Sequence, residues 1–255
     1  MRLITLGTGT IALTSERVCA GHLIEAGSVA LLMDCGSGVT HRLAERVPAW
    51  REITHVAFTH FHVDHVGDFA TLVFAWKYGS LPGRSAPLRV IGPVGTTALL
   101  GRLADAFGDW LREPGFPLSV SEILPGETLA LGDGVQLGAT KVPHTPESVA
   151  YSVTRGGRRV VYTGDTGYDP PLGEWARGCD VLLCECSLPA TMAIPEHLTP
   201  EQCGALAAAA RPKHLVLTHF YPPVEQTDVR AAVATHYAGP LSLAVDGATF
   251  EIEEG

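Results

Sequence analysis

Residues 59–68, THFHVDHVGD, place three histidines and two aspartates in ten positions, directly after the apolar run HVAF and before FATLVFAW. Flanks of this kind predict a segment anchored against a core, where uncompensated imidazole and carboxylate groups are costly. A fold that buries the flanks must therefore gather these groups around something that satisfies them. The spacing of His60, His62, Asp64 and His65, H-x-H-x-D-H, suits no single regular element. On a strand, residues 60, 62 and 64 share a face with His65 opposite; on a helix, 62 and 65 meet while 60 points away. A loop joining a strand to a helix removes that restriction, with Thr59 and Gly67 as turn residues. Neutral imidazole and carboxylate are donors suited to zinc and similar divalent ions. The alternative is a solvated loop with incidental histidines, and four such groups in six positions after an apolar strand argue against it.

The rest of the chain alternates apolar runs with Gly/Pro turns and Ala-rich stretches, without a repeat or a low-complexity segment. Strands are expected at RLITLG, HLIEAG, VALLMDCG, HVAFTH, LRVIG, VQLGATKV, VAYSVTRGGRRVVYTGD, VLLCECS, HLVLTHF and LSLAVDGATFEI, the seventh folding back at Gly156–Gly157 as a hairpin. Helices are expected over 40–47, 66–80, 95–108, 199–210 and 226–237. Thr199 followed by Pro200 gives the fourth of these an N-cap and a proline at its first position. Residues 109–117, DWLREPGFP, read as loop. The pattern is layered α with β, mixing hairpins and crossovers.

At 255 residues, 46% hydrophobic and 18% charged, the chain is globular, and it is read as a single domain over 1–255. Its 18 basic and 27 acidic side chains give a formal charge of −9, so no general footprint for a polyanion is present. A pair of bound cations would offset that charge locally, which leaves phosphate chemistry open. The six cysteines form no Cys-x-x-Cys pair and are read as free, buried thiols. No signal-peptide pattern opens the chain and no run of 18 apolar residues occurs, so a cytoplasmic protein without a membrane span is expected.

One rival motif lies near the start. LGTGTIA fits G-x-G-x-x-A through Gly7, Gly9 and Ala12, the fingerprint of a dinucleotide site. That site needs a helix whose N-terminus meets a pyrophosphate, and the following LTSERVCAGHLIEAG is short, broken by glycine and runs into a strand. A tight turn near a pocket is the preferred reading.

Three further candidates each follow an apolar run and precede a turn: His144 in KVPHTPES, Asp165 in VVYTGDTGY and His219 in LVLTHFYPP. Each alone reads equally as a turn residue. Together with H-x-H-x-D-H, in this order, the chain resembles the metallo-β-lactamase fold superfamily nearly end to end. The resemblance implies a four-layer αββα sandwich, two mixed β-sheets flanked by helices, in the α/β (α+β) class. It implies two divalent metal ions, zinc by preference with manganese or iron as alternatives. His60, His62 and His144 would hold the first, Asp64, His65 and His219 the second, and Asp165 would bridge both.

Two ions roughly 3.5–4 Å apart would generate a metal-bridging hydroxide near neutral pH and clamp an electrophilic phosphorus or carbon, which is hydrolytic chemistry. Asp64 could also take a hydrogen bond from the attacking water. Asp34, in LLMDCGSG, is a candidate to orient a ligand imidazole, or equally the start of an Asx-type turn.

ECSLPATMAIPEHLTPEQCG places Glu185 and His197 before the last ligand, and resembles the region where ribonuclease Z and related phosphodiesterases carry a Glu-His pair that protonates the leaving group. A partly protonated His197 beside a phosphate suits that role, although it also sits next to the helix cap at Thr199. Ribonuclease Z carries a tRNA-gripping arm between the third and fourth metal motifs. Here only the twenty residues 145–164 intervene and they form the expected hairpin. Arg155, Arg158 and Arg159 are read as a solvated turn.

The expected function is a dinuclear phosphodiesterase acting on a small-molecule substrate, with tRNA disfavoured, no membrane partner and a homodimer left open. The alternatives are a metallohydrolase that opens a lactone, thioester or β-lactam, and a non-hydrolytic binding protein or oxidoreductase of the same fold.

Overall fold

VALLM, VLLCE and HLVLT are apolar at nearly every position, the mark of strands covered on both faces. The computed structural model, which describes residues 1–79 and 81–253, places each of them inside a sheet. The first half of the chain supplies β1 (Arg2–Gly7), β2 (Gly21–Ala26), β3 (Val29–Met33), β4 (His55–Ala57), β5 (Leu88–Gly92) and β6 (Leu118–Glu122). The second half supplies β7 (Thr128–Gly132), β8 (Val135–Lys141), β9 (Val149–Arg155), β10 (Arg158–Tyr162), β11 (Val181–Glu185), β12 (His214–Thr218) and β13 (Leu241–Leu243). β14 (Ala248–Glu251) returns to the first sheet, giving the orders β14-β1-β2-β3-β4-β5-β6 and β13-β12-β11-β10-β9-β8-β7. Each sheet is antiparallel along its meander and parallel from β3 to β6 or from β10 to β13, where helical crossovers intervene.

The helices are α1 (Val39–Arg46), α2 (Val63–Val66), α3 (Phe69–Tyr78), α4 (Thr96–Phe107), α5 (Pro170–Trp175), α6 (Pro200–Ala210), α7 (Pro222–Glu225) and α8 (Val229–Ala234). Alternation within the strands sorts side chains into layers. Leu31, Met33, Val153, Tyr162 and Val216 meet between the sheets. Leu32 and Val56 turn outward to Leu43, Phe69 and Val73 on α1 and α3. Leu182, Leu215 and Leu217 turn the other way onto Leu206 and Val233 of α6 and α8. Three apolar seams in series make the four-layer αββα sandwich of the metallo-β-lactamase fold, as the sequence implied. Truncating a residue common to such seams, Leu31 for example, should cost roughly 2–5 kcal/mol.

The helix expected over 66–80 is divided, and position 80 lies outside the described residues. Asp68 N–H turns to Cys35 O (2.9 Å) and its carboxylate takes Gly38 N–H, Thr40 N–H and the Thr40 hydroxyl, so the helical ladder breaks there. The expected helix 226–237 shortens to α8, and α6 carries the capping box of Thr199 with Gln202. LSLAVDGATFEI is two strands in different sheets. The chain crosses at residues 244–247, where Ala244 N–H reaches Leu217 O and Gly247 N–H, at φ +82, reaches Thr5 O. β6, β7, α5 and α7 fall outside the expected elements. All six cysteines are buried and free, and among the described residues no helix is long and apolar enough to cross a membrane.

No helix follows Gly7–Ala12; Gly9 instead bridges to Phe220. The loops after β3, β4, β8, β10, β11 and β12 carry Asp34, His60, His144, Asp165, Ser187 and His219. The contacts among these groups collect all six loops at one end of the sandwich.

Candidate metal centre

The H-x-H-x-D-H segment begins as a loop and ends as a helical turn. β4 stops at Ala57, His62 holds an extended backbone at the N-cap of α2, and Asp64 and His65 lie on that turn. Gly36 allows the turn to approach the β3 loop: a Cβ there would fall 1.9 Å from Asp64 O.

All seven expected ligands converge. His60, His62, His144 and Asp165 offer donor atoms that lie within 4.8 Å of one another, and so do Asp64, His65 and His219. Asp165 lies between the groups. Its Oδ2 is 3.8 Å from His60 Nε2 and 3.7 Å from His144 Nε2, while its Oδ1 is 3.2 Å from His65 Nε2 and 3.4 Å from His219 Nε2. His62 Nδ1 faces His144 Nε2 at 3.1 Å, and His219 Nε2 is 3.6 Å from Asp64 Oδ2.

The outer nitrogens of four of these imidazoles are tied down, which fixes the tautomer. His65 Nδ1 donates to Asp34 Oδ2 at 2.8 Å, and His60 Nδ1 lies 3.1 Å from Thr59 Oγ1, itself a donor to Asp34. His144 Nδ1 donates to Glu196 O at 2.9 Å. His219 Nδ1 meets Ser187 Oγ at 2.9 Å, and that hydroxyl donates to Glu185 Oε2 at 2.5 Å. With the outer nitrogens committed as donors, the Nε2 lone pairs point inward. His60, His65 and His219 Nε2 and Asp165 Oδ1 are buried with no hydrogen-bond partner. Buried polar atoms are rarely left so. Divalent cations would satisfy all four, and the nitrogen and oxygen donor set suits zinc, manganese or iron.

The electrostatics follow from crowding. Burial holds His60 well below the ordinary histidine value and lowers His144. Burial acts the same way on His65, but Asp165 and Asp34 outweigh it and hold that imidazole well above. Burial raises Asp165, and the surrounding His219, His65 and His60 overcome it, leaving the carboxyl well below its usual range. Asp64 is lowered by the His219 contact against burial.

Asp34 is a positioning group as well as a turn residue. At φ 58 it accepts from Thr59 N–H, Thr59 Oγ1, His65 Nδ1 and Tyr162 OH. His219, at φ 60, is a second non-glycine residue held in the left-handed region at this site. His197 lies at the site, its ring centroid 4.9 Å from His144 and 5.7 Å from His219. Its Nδ1 donates to Glu185 Oε1 at 2.9 Å. Burial lowers His197, but the Glu185 hydrogen bond and charge prevail and raise it to about 9. Glu185 is fixed in turn by Thr166 N–H and Leu198 N–H.

Sequence reasoning missed three neighbours. Ser187 links His219 to Glu185, and Tyr162 supports Asp34. Tyr221 packs its ring 6.1 Å from both His197 and His219. Nothing in the local sequence marks the first two, while Tyr221 stands two residues after a ligand. The arginines of the β9–β10 turn are engaged elsewhere: Arg155 pairs with Asp133, Arg158 pairs with Asp180, and Arg159 lies over Trp175.

The model of the family described as Beta-lactamase superfamily domain matches residues 30–220. An uncharacterized Mycobacterium leprae protein, ML1173, is 30% identical over 257 residues, covering 99% of this chain and 89% of its own. The Ribonuclease Z of Mycobacterium marinum is 28% identical over 273 residues, covering 96% of each chain. Among solved structures, the metallo-beta-lactamase fold protein YhfI from Bacillus subtilis superposes with a TM-score of 0.84 over 98% of both chains at 24% identity.

Proposed function

The chain belongs to the beta-lactamase superfamily, as a metallo-β-lactamase-fold hydrolase, and from that premise we propose that it is a dinuclear phosphodiesterase acting on a small phosphodiester. The observation that carries this reading is the Glu185–His197 pair, 2.9 Å apart beside the ligand cluster. A departing alkoxide of a phosphodiester needs a proton from an acid so placed, whereas the thiolate of a thioester leaves without one. The resemblance of the pair's surroundings to ribonuclease Z supports it, as does the M. marinum relative of that name.

When bound, two divalent ions would supply Lewis acidity and lower the pKa of a shared water. The remaining functions fall to side chains. His60, His62 and His144 would hold one ion and Asp64, His65 and His219 the other, with one Asp165 oxygen turned to each set. Asp64 accepts a hydrogen bond from the attacking water and keeps its lone pair toward phosphorus. His197 donates its Nε2 proton to the departing oxygen, and Glu185 holds the ring in place. A small substrate is favoured because residues 145–164 close as the β9–β10 hairpin, with no arm for tRNA.

The test is a panel of bis-aryl phosphate, cyclic nucleotides, a lactone and a cephalosporin, with metal analysis of the same sample. Turnover of the diesters above the other classes is expected. Turnover confined to the lactone or cephalosporin overturns the assignment.

A further inference from the structure

The mouth of this site is apolar and poor in cations. Ile11, Leu13, Tyr168, Met192 and Ile194 are each 43–86% exposed, a concentration of large apolar side chains on loops that carry or adjoin the ligands. The loop bearing Met192 and Ile194 gives Glu196 O to His144 and brings Pro195 against Gly167, the neighbour of Tyr168. The loop bearing Ile11 and Leu13 is tied to the last ligand's neighbour by Phe220 N–H to Thr8 O at 3.0 Å and by the bridge of Gly9 to Phe220. Half-buried Tyr221, the residue after Phe220, sets its ring edge-on 6.1 Å from the rings of both His197 and His219.

Arg17 on the loop of Ile11 and Leu13 and Lys141 at the end of β8 are already engaged. Lys141 Nζ donates to the carbonyls of Val142, Thr145 and Ser148, which uses all three of its hydrogens. Arg17 is held by Glu225, Thr8 and Ala244 O. Glu16 and Glu196 on the same loops are exposed. A second phosphate or carboxylate on a substrate would find no ion pair there and would meet like charge.

We propose that this site selects a singly charged phosphodiester carrying a neutral aromatic substituent, and that Tyr221 is the specificity-determining residue that holds the retained group. The proposal rests on the phosphodiesterase reading. The metal ions neutralise the one phosphate charge, and the Tyr221 ring with its apolar neighbours removes the substituent's flat face from water.

The experiment compares p-nitrophenyl diesters that share one leaving group and differ in the retained group: phenyl, methyl or 2-carboxyethyl. Calorimetric binding of diphenyl and dimethyl phosphate to the same metal-loaded protein runs in parallel. The phenyl diester should exceed the methyl by roughly tenfold or more in kcat/KM, mostly through KM, with the carboxylate slowest. Tyr221→Ala should cost the phenyl diester far more than the methyl diester, erasing the phenyl preference in rate and in binding, and Tyr221→Phe should keep it. Equal rates for phenyl and methyl in the wild type, or an equal loss on both in Tyr221→Ala, overturn the proposal. Tight binding of diphenyl phosphate that depends on Tyr221, without hydrolysis of any diester, upholds the aromatic mouth and overturns the phosphodiesterase reading instead.

Discussion

Asp34 Oδ2 lies 2.8 Å from His65 Nδ1, and both side chains are fully buried. The same carboxylate accepts from Thr59 and Tyr162, so it joins β3, the H-x-H-x-D-H segment and the end of β10 at one point. Asp34→Ala would leave several buried donors unpaired and should destabilise the protein by about 3–5 kcal/mol. Asp34→Asn keeps an acceptor for Thr59 N–H but offers no charge to His65. Its affinity for the ion at His65 should fall about 10–100-fold, measured by competition with a chromogenic chelator. Unchanged affinity in Asp34→Asn would remove the positioning role.

His197 acts on the leaving group in this account. His197→Ala should lower turnover roughly 10²–10⁴-fold for a diester with a poor alkoxide leaving group, and much less for an activated aryl diester. Metal content should stay at the wild-type level, since the proposed ligands are seven other side chains. Glu185→Gln should show the same pattern in weaker form. Equal losses on both leaving groups, or loss of metal with the histidine, would defeat the general-acid role.

Away from the site, His55 at the start of β4 sets an acid sensitivity. Burial, with the Arg89 charge beside it, lowers its pKa from 6.5 to about 4. The unfolded chain therefore takes up a proton below about pH 6.5 that the folded chain refuses until about pH 4, so stability falls as pH drops through that window. The shift converts to about 3 kcal/mol at most, and to about 1–2 after solvent screening. In His55→Gln, urea unfolding at pH 7 and pH 4.5 should show a smaller difference between the two by about that amount. The same difference in both proteins would contradict it.

The site was legible where its chemistry is local or repeats a strand-end pattern. His60, His62, Asp64 and His65 announce themselves because no ordinary core tolerates them, and His144, Asp165 and His219 each end an apolar run. What the sequence hides is the outer set of contacts, since Ser187 and Tyr162 become partners of His219 and Asp34 only through the meeting of separate strands. The fold shows the same division. Strands covered on both faces stand out as apolar runs, whereas β6 and β7 are partly exposed, mix polar with apolar residues and are easily read as loop. β13 and β14 look continuous because the change of sheet at 244–247 depends on Leu217 and Thr5 far away in sequence. The break between α2 and α3 likewise depends on Asp68 turning to Cys35 and Thr40.

The bridging position of Asp165 between two ligand sets is the centre of the account, and a zinc titration of chelator-stripped protein tests it most directly. Hydrolysis of a bis-aryl phosphate is followed as metal is added, with bound zinc counted by elemental analysis in the same samples. The wild type should be inactive when stripped and gain activity up to a break at about two ions per chain, while Asp165→Ala should retain less metal and recover little activity. Full activity in the stripped protein, a break at a single ion, or an Asp165→Ala variant that matches the wild type in both metal and rate would contradict it.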